Sequence, residues 1–422
     1  MTRWARWTAA VAIGAAIVTA CQERLTAPAE CPELCPGGSP QVFDTVVPAL
    51  AGLDSSFPSL AEFASGGGYV DRGRGPALLV SHGFAASEDR AVYRFAPRSD
   101  QIAVRDTFRT YTVDSAAITV TVLARDTLVG GLKLFLYRIP SAVDSTTQFG
   151  AIDPLLTPAS LIDSIVVPDS VRRGAVGVTI TGADVSRIAL SGGDSTLAIA
   201  LGMTASLPTG IRVGSLTSST ASTFTTFVTV DVPDTGSVKK QTITRATTFN
   251  TFVTQDPVVP VDSLLTVGGE PSSRAVVRFG LSSQFLDSAK IVRATMELTP
   301  VRPIIGLPTD PATLLINQLV GDIGAKSPIS FDTTFISHDT LASVQTDTMK
   351  IDVTNIVRLW QSSRSRPQSV LLRIGPFLSP QEAATFARPV FFSTRSHGPD
   401  PSVLVAPRIR ITYQRSFPFE SP

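Results

Sequence analysis

The stretch of residues 273–298 constrains the fold of this chain more than any other, because it alternates in the manner of β-strands. Its first run, residues 275–279, is rich in β-branched and aromatic residues with period-two spacing. Its second run divides into an apolar face for a core and a polar face for water: Val292, Ala294, Met296 and Leu298 against Arg293, Thr295 and Glu297. Successive side chains of a strand point to opposite faces, so each run predicts a strand with one buried side.

A weaker copy of this stretch occurs earlier, so the chain contains an internal repeat. Residues 91–95 match residues 275–279, and both are followed by a polar connection and an alternating strand. Further along, residues 180–188 match residues 351–359, and each reads as a strand end that enters a short helix. In the second helix the predicted apolar face is Ile356, Leu359 and Trp360, with Thr354 or Asn355 as N-cap.

The repeat predicts two all-β units of similar size. Many short strands with Pro- and Gly-rich turns favour two tandem β-sandwich domains of jelly-roll type, each with one short helix. The predicted organisation is a signal peptide at 1–20, a flexible tether at 21–40, a first sandwich at 41–233, a linker at 234–241, a second sandwich at 242–415 and a tail at 416–422.

The N-terminus predicts export. Arg3 and Arg6 precede an apolar run, residues 7–20, that is too short for a comfortable membrane-spanning helix. The run ends in Val-Thr-Ala before Cys21, which resembles the lipobox of bacterial lipoproteins. The resemblance implies cleavage before Cys21, lipidation of that residue and anchoring to a bacterial membrane, the outer membrane, facing the periplasm or the cell surface. The alternative is an ordinary secretory signal followed by a chance cysteine.

Cys31 and Cys35 are the only cysteines besides Cys21. Exported chains meet oxidising conditions, so these two cysteines are candidates for a small disulfide loop that stiffens the tether. A metal site there would need two further soft ligands nearby, and the sequence offers none.

The charge balance restricts the partners. The formal net charge is +1 over 422 residues, which gives no electrostatic footprint for nucleic acid or for an anionic membrane surface. The predicted contact with a membrane is therefore the N-terminal lipid alone.

Few residues point to catalysis. The three histidines, His82, His338 and His397, are far apart in the sequence, and no G-x-S-x-G motif is present. We expect surface histidines, no enzymatic activity and no cofactor. Asp71, Asp194 and Asp262 lie in turn-like sequence and are read as turn caps, with a calcium site as the alternative.

The second unit resembles the DNRLRE family of bacterial surface modules, which is related to carbohydrate-binding modules. The matching segments are 248–253, 263–268, 274–279, 289–298, 352–354 and 407–413. The resemblance implies a jelly-roll sandwich without a catalytic set, and a polysaccharide as the expected ligand class. Gly280 stands where the family usually has an acidic residue after its Arg-Phe pair, so a ligand or ion role of that residue does not carry over.

Sugar-binding faces commonly stack aromatic rings on pyranose rings, and the chain has few aromatic residues for such a platform. The candidates are Tyr69, Tyr111 and Tyr137, and rows of arginine such as Arg278 with Arg293, or Arg408 with Arg410, are candidates for contacts with acidic polysaccharide. The leading hypothesis is a lipid-anchored surface protein with a binding or adhesion role. The alternatives are a structural spacer or assembly subunit of the envelope, and a hydrolase or hydrolase accessory.

Overall fold

The predicted all-β fold is confirmed in a computed structural model of the chain. The structure describes residues 42–57, 73, 75–99, 101–104, 106–188, 196–232, 237–255, 261–270, 272–322, 330–375, 385–398 and 404–415. The predicted lipidation site and disulfide pair (Cys21, Cys31 and Cys35), Tyr69, Asp71 and Asp194 lie outside these residues.

Two sandwiches account for the strands. The N-sandwich contains β3 (Ala77–His82), β4 (Asp89–Phe95), β5 (Gln101–Val104), β6 (Thr107–Thr110), β7 (Thr112–Arg125), β8 (Lys133–Ile139), β9 (Leu161–Val166), β10 (Gly174–Thr181), β11 (Ala198–Thr204), β12 (Thr209–Gly214), β13 (Thr223–Val232) and β14 (Ser237–Thr254). The C-sandwich contains β1 (Val42–Pro48), β2 (Ser55–Phe57), β15 (Leu264–Thr266), β16 (Arg274–Arg278), β17 (Ala289–Leu298), β18 (Ala312–Gly321), β19 (Ser330–Leu341), β20 (Met349–Asp352), β21 (Ser369–Ile374), β22 (Val390–Phe392) and β23 (Arg408–Arg415).

Helices are short and differ from the prediction of one per sandwich. The described residues form α1 (Phe149–Ile152), α2 (Val185–Ile188), α3 (Ser283–Asp287) and α4 (Thr354–Ser362), with 3-10 turns at Asp153–Leu155 and Gly182–Asp184. The predicted helices are α2 and α4. The additional helices lie in polar connections, where a single helical turn has too little apolar periodicity to be recognised.

The layers of the two sandwiches correspond strand for strand. In the N-sandwich the layers run β9-β8-β11-β4-β14 and β10-β7-β13-β14, and β12 and β3 extend the sheet beside β7. In the C-sandwich they run β19-β18-β21-β16-β2 and β20-β17-β23-β1. The short helices α2 and α4 follow β10 and β20, which occupy equivalent positions. This correspondence supports the internal repeat predicted from the sequence.

The strands that begin each half of the chain pair with the sandwich formed by the other half. From the N-terminus of the chain, β1 pairs with β23 and β2 pairs with β16, so both belong to the C-sandwich. The long strand β14 pairs with β13 through its first half and with β4 through its second half, so it belongs to the N-sandwich.

The predicted bounds of the sandwiches therefore differ from the observed pairing. The predicted linker, 234–241, runs into β14 from Ser237 onward, and the predicted start of the second sandwich, residues 242–254, completes the first. Alternation identifies a strand but does not say which sheet it joins, and equivalent strands of two similar units compete for the same edges.

Each sandwich has its own apolar core between its layers. In the C-sandwich the core includes Met296, Leu314 and Trp360, and in the N-sandwich it includes Tyr93, Val120 and Leu134. The Tyr93 hydroxyl donates to the carbonyl oxygen of Gly214 at 2.6 Å, and burial raises the pKa of this phenol above its ordinary value. The predicted place of Trp360 on the apolar, core-facing side of its helix is confirmed.

Two apolar residues join the sandwiches. Leu307 and Phe386 belong to the C-sandwich in sequence but pack into the N-sandwich core. Beside them, Arg212 and Asp310 form a two-pronged ion pair with distances of 2.5 and 2.6 Å. The interface between the sandwiches is therefore partly apolar and buried, and does not consist of polar surface contacts alone.

Candidate functional site

A polar groove of about 660 Å³ lies beside helix α4 in the C-sandwich. We call it the α4 groove. It is lined by Val292, Arg293, Ile336, Ser337, His338, Asp352, Thr354, Asn355 and Arg358. The lining comes from β17, β19, the end of β20 and the first turns of α4, and its volume lies within the range usual for small-ligand sites.

A β-bulge in β17 creates one wall of the α4 groove. The pairing of β17 with β23 shifts register between Ile291 and Arg293, so two successive residues face outward. Val292 was predicted to face the core, but it is 45% exposed and lines the groove with Arg293. The core position is taken by Ile291, which is 3% exposed. The sequence pattern alone missed the bulge because Ile291 and Val292 are equally apolar.

Arg358 holds the bulge from the helix. Its Nη2 donates to the carbonyl oxygen of Ile291 at 2.9 Å and to that of Val292 at 3.4 Å. Its Nε also donates to Ile291 at 3.3 Å. A bulge disrupts the ladder locally, and the guanidinium supplies donors to the carbonyl groups there. Arg358 thus couples α4 to the wall of the groove.

Asp352 carries the negative charge of the groove. Partial burial would raise the pKa of Asp352, but hydrogen bonds from Thr354 and the charges of Arg293 and Arg358 hold it below its ordinary value. The Thr354 amide donates to Asp352 Oδ1 at 2.8 Å. The groove therefore presents two guanidinium groups and one carboxylate near neutral pH, a net positive set of planar hydrogen-bonding groups.

The start of α4 differs from the prediction. Val353 is the N-cap residue, rather than Thr354 or Asn355. The Thr354 hydroxyl is used across the sheet instead, where it accepts from the amide of Ala294 at 2.9 Å. On the buried side of α4, Ile356, Val357 and Trp360 face the core, while Leu359 is only partly buried.

A smaller groove lies beside α2 in the N-sandwich. It measures about 420 Å³ and is lined by Arg138, Ile139, Pro140, Ala159, Ser160 and Arg187. Arg187 lies on α2 and corresponds in the sequence repeat to Arg358 on α4. Its Nη1 donates to the carbonyl oxygen of Leu161 at 2.8 Å.

The predicted platform tyrosines do not come together in the described part of the chain. The Tyr111 hydroxyl donates to the carbonyl oxygen of Ser99 at 2.6 Å, and the guanidinium of Arg98 lies 5.3 Å from its ring centre. Tyr137 lies on β8, partly buried, with its ring centre 6.4 Å from that of Phe135. Both residues belong to the N-sandwich, away from the α4 groove.

Three arginines of the predicted rows, Arg278, Arg408 and Arg410, pair with carboxylates. Arg278 forms a two-pronged pair with Asp322 at 2.6 and 2.8 Å. Arg408 and Arg410 flank the buried Glu297, with Nε to carboxylate distances of 2.5 and 3.1 Å. Glu297 was predicted to face water, yet it is 3% exposed because the two arginines of β23 cover it. Arg278 and Arg293 lie in different layers and do not form a row.

The histidines lie on three different elements. His82 ends β3, with Nδ1 3.3 Å from Glu88 Oε1. His338 lies on β19 in the α4 groove, and His397 is exposed in the segment after β22. Among the described residues, no group of three or more His, Cys, Asp or Glu side chains is placed to hold a metal ion. The predicted turn residue Asp262 is exposed, and its carbonyl oxygen accepts from Arg395.

A buried carboxyl pair lies where the two sandwiches meet. Asp89 begins β4 and is fully buried, and Glu270 lies between β15 and β16 and is 8% exposed. The negative charge of Asp89 acts on Glu270. Asp89 also accepts from the hydroxyls of Ser81 and Thr254, each at 2.7 Å. Sequence reasoning missed these two residues because they are 181 positions apart and neither lies in a recognisable motif.

Burial is the main cause of the raised pKa values of Asp89 and Glu270. It raises the pKa of Asp89, although the hydrogen bonds from Thr254 and Ser81 act in the opposite direction. Burial also raises the pKa of Glu270 well above its ordinary value, and the negative charge of Asp89 raises it further.

Comparison with known proteins adds no assignment. No family model matches the chain, and no curated protein matches it. No helix in the described residues is long and apolar enough to cross a bilayer.

Proposed function

We propose that this protein is a non-catalytic, lipid-anchored component of the bacterial cell envelope that binds polysaccharide through the α4 groove. The observation that carries the proposal is the groove itself, with Arg293 and Arg358 beside Asp352 on one concave surface. Planar side chains with several donors and acceptors match the closely spaced hydroxyl groups of sugars. The net positive charge favours polysaccharides that carry carboxylate or sulfate groups.

Binding to a panel of immobilised neutral and acidic polysaccharides tests the groove. The chain would begin at Gln22, so that lipid plays no part. We expect binding to an acidic polysaccharide that Arg293→Ala weakens about tenfold, in line with the loss of one charge-assisted contact. The matched control is Lys290→Ala, which removes a positive charge from the same strand outside the groove. Equal loss in both variants would indicate attraction by general charge rather than the groove.

The anchor has its own test. Metabolic labelling with a fatty-acid analogue should mark the wild-type chain and not a Cys21→Ala variant. Labelling of both would remove the anchor from the proposal and leave the binding groove unaffected.

An envelope spacer or assembly subunit is the second candidate, and one sheet face favours it. On the outer face of the N-sandwich, Thr179, Ala117, Thr225 and Thr244 form one uncharged row across four strands. In the C-sandwich, a row across β20, β17, β23 and β1 contains charged residues: Asp352, Thr295, Arg410 and Val46. An uncharged row suits packing against another subunit better than a charged row does. Absence of binding to every polysaccharide would favour this candidate.

A further inference from the structure

A cavity of about 30 Å³ lies in the N-sandwich, apart from the groove already described there. Its wall is formed by β7, β13 and α2, and two arginines complete it: Arg98, which follows β4, and Arg245 on β14. Arg98 and two of the apolar residues are partly exposed, so the cavity opens to solvent on their side. The apolar lining consists of Val113, Val185, Ile188 and Phe224.

The fold buries Arg245 without a carboxylate partner among the described residues. Arg245 lies opposite Phe224 in the register of β13 and β14, and both face the inside of the sandwich, where Arg245 is only 6% exposed. Its Nη2 donates to the Tyr111 hydroxyl oxygen at 3.4 Å, and its guanidinium lies 5.6 Å from the Phe224 ring centre. Its Nη1 has no hydrogen-bond acceptor in the described part of the chain. A buried charge is costly unless it is paired, so an anion at this position would stabilise the fold.

Arg98 brings a second positive charge to the same cavity. Its guanidinium lies 5.3 Å from the ring centre of Tyr111, the residue whose hydroxyl contacts Arg245. Its Nε also lacks an acceptor within the residues that the structure describes. Burial lowers the pKa of Arg245 below its ordinary value; Tyr111 opposes this shift, and the positive charge of Arg98 adds to it. Since no described acidic side chain lines the cavity, the two charges have no counterion there.

We propose that this cavity binds the carboxylate group of a small aliphatic acid, with Arg98 and Arg245 as its counterions. A guanidinium is planar and can donate two parallel hydrogen bonds to a carboxylate. The volume suffices for a group the size of roughly two water molecules, so the acidic group enters while the remainder of the ligand lies at the mouth. Val113 and Val185 are partly exposed there and offer an apolar contact to an alkyl chain. The site lies in the other sandwich from the α4 groove and does not depend on the function proposed for that groove.

Saturation-transfer NMR of the full chain with sodium propionate tests the site, with propionamide as the uncharged analogue of the same shape. We expect saturable binding of propionate and none of propionamide. Arg245→Leu, which leaves an apolar side chain at the buried position, should weaken propionate binding about tenfold, through loss of one charge-assisted contact. The matched control is Lys240→Leu, which removes a positive charge from an exposed position of the same strand and should leave the affinity unchanged.

Four results would overturn the proposal. Absence of saturable propionate binding would show that the cavity takes no such acid, and equal binding of propionamide would show that the arginines do not recognise charge. Full displacement of propionate by an equal concentration of sulfate would indicate a site for any anion. Equal weakening in Arg245→Leu and Lys240→Leu would indicate attraction by general charge. If Arg245→Leu does not fold, Arg98→Leu at the mouth replaces it with the same expectation, and unchanged affinity in that variant would contradict the proposal.

Discussion

The guanidinium of Arg358 donates to the carbonyl oxygen of Ile291 at 2.9 Å, across the bulge that forms one wall of the α4 groove. A helix that follows one strand thereby fixes the shape of another. The groove is therefore built from four elements packed together rather than from a flexible loop, and a ligand would meet a preformed surface.

Replacement of Arg358 by leucine should loosen this wall. The variant loses charge-assisted donors to the Ile291 and Val292 carbonyl groups, and Arg358 is exposed, so we expect a loss of about 1 kcal/mol in the free energy of unfolding. Urea denaturation followed by circular dichroism measures the loss, and hydrogen exchange in peptides across residues 289–298 locates it. Unchanged hydrogen exchange in these peptides would mean that the bulge does not depend on Arg358. Lys290→Leu is the matched control.

Glu297 should stabilise the C-sandwich in a pH-dependent manner. Burial would raise the pKa of Glu297, but hydrogen bonds and charges from Arg408 and Arg410 outweigh it and lower the pKa below its ordinary value. A carboxyl group with a lowered pKa in the folded state contributes stability above its unfolded pKa, about 4.3 for Glu, and loses it as the pH falls through the lowered value.

The variant Glu297→Gln makes this contribution measurable. At pH 7 we expect a loss of roughly 1–2 kcal/mol, a moderate value because both arginines remain partly exposed to water. Below about pH 4 the difference from wild type should shrink, since the wild-type carboxyl is then protonated as well. Unfolding measured from pH 3 to pH 7 in both proteins tests this, and a difference that stays constant with pH would contradict it.

The exchanged strands should make the C-sandwich dependent on the N-terminal segment. A fragment of residues 261–415 lacks β1 and β2, so β23 and β16 each lose a paired neighbour. We expect the fragment alone to be poorly folded and a peptide of residues 42–57 to restore it. Fluorescence of Trp360, the fragment's one tryptophan and a buried residue, reports the recovery.

A variant peptide provides the control for that experiment. Val47 is the most deeply buried residue of β1, and Val47→Asp would place a carboxylate in the C-sandwich core. The variant peptide should therefore restore the fragment poorly. Equal fluorescence and melting temperature with wild-type peptide, variant peptide and no peptide would show that the C-sandwich does not need the segment.

The positions of the strands were predictable from the sequence, because each strand is marked by a short local alternation of apolar and polar residues. The matched runs at residues 91–95 and 275–279 indeed became β4 and β16, at equivalent places in the two sandwiches. The pairing partners of the strands were not predictable. In the N-sandwich β14 pairs with β13, and the sequence does not exclude that β1 would pair there instead of with β23.

The candidate site was less accessible to prediction for two physical reasons. A bulge shifts one residue between faces, and neither Ile291 nor Val292 reveals which of them is displaced. The buried carboxyl groups of Asp89 and Glu270 belong to separate units, and no local pattern of charge or hydropathy marks either as buried. Arg358 could have been noticed through its counterpart Arg187 in the repeat, although the match gives no geometry.

A glycine should control the contact between the two cores. Gly210 lies on β12 beneath the ring of Phe386, and a Cβ atom at this position would lie 2.3 Å from Phe386 Cζ. The ring cannot retreat freely, because it also packs edge-on against Phe84 with ring centres 5.2 Å apart. Gly210→Ala should therefore cost about 1–3 kcal/mol of unfolding free energy, as overpacking of a filled core does.

The design of this experiment separates overpacking from other effects of alanine. Gly150→Ala is the control, because nothing lies within 4 Å of a Cβ at that helical position, and we expect no loss there. Phe386→Leu should partly rescue Gly210→Ala, since a smaller side chain makes room for the added methyl group and the two sites are in contact. Additive losses in the double variant would mean that the alanine methyl group does not press on Phe386. Rescue would identify this contact as the point where the two cores are fitted to each other.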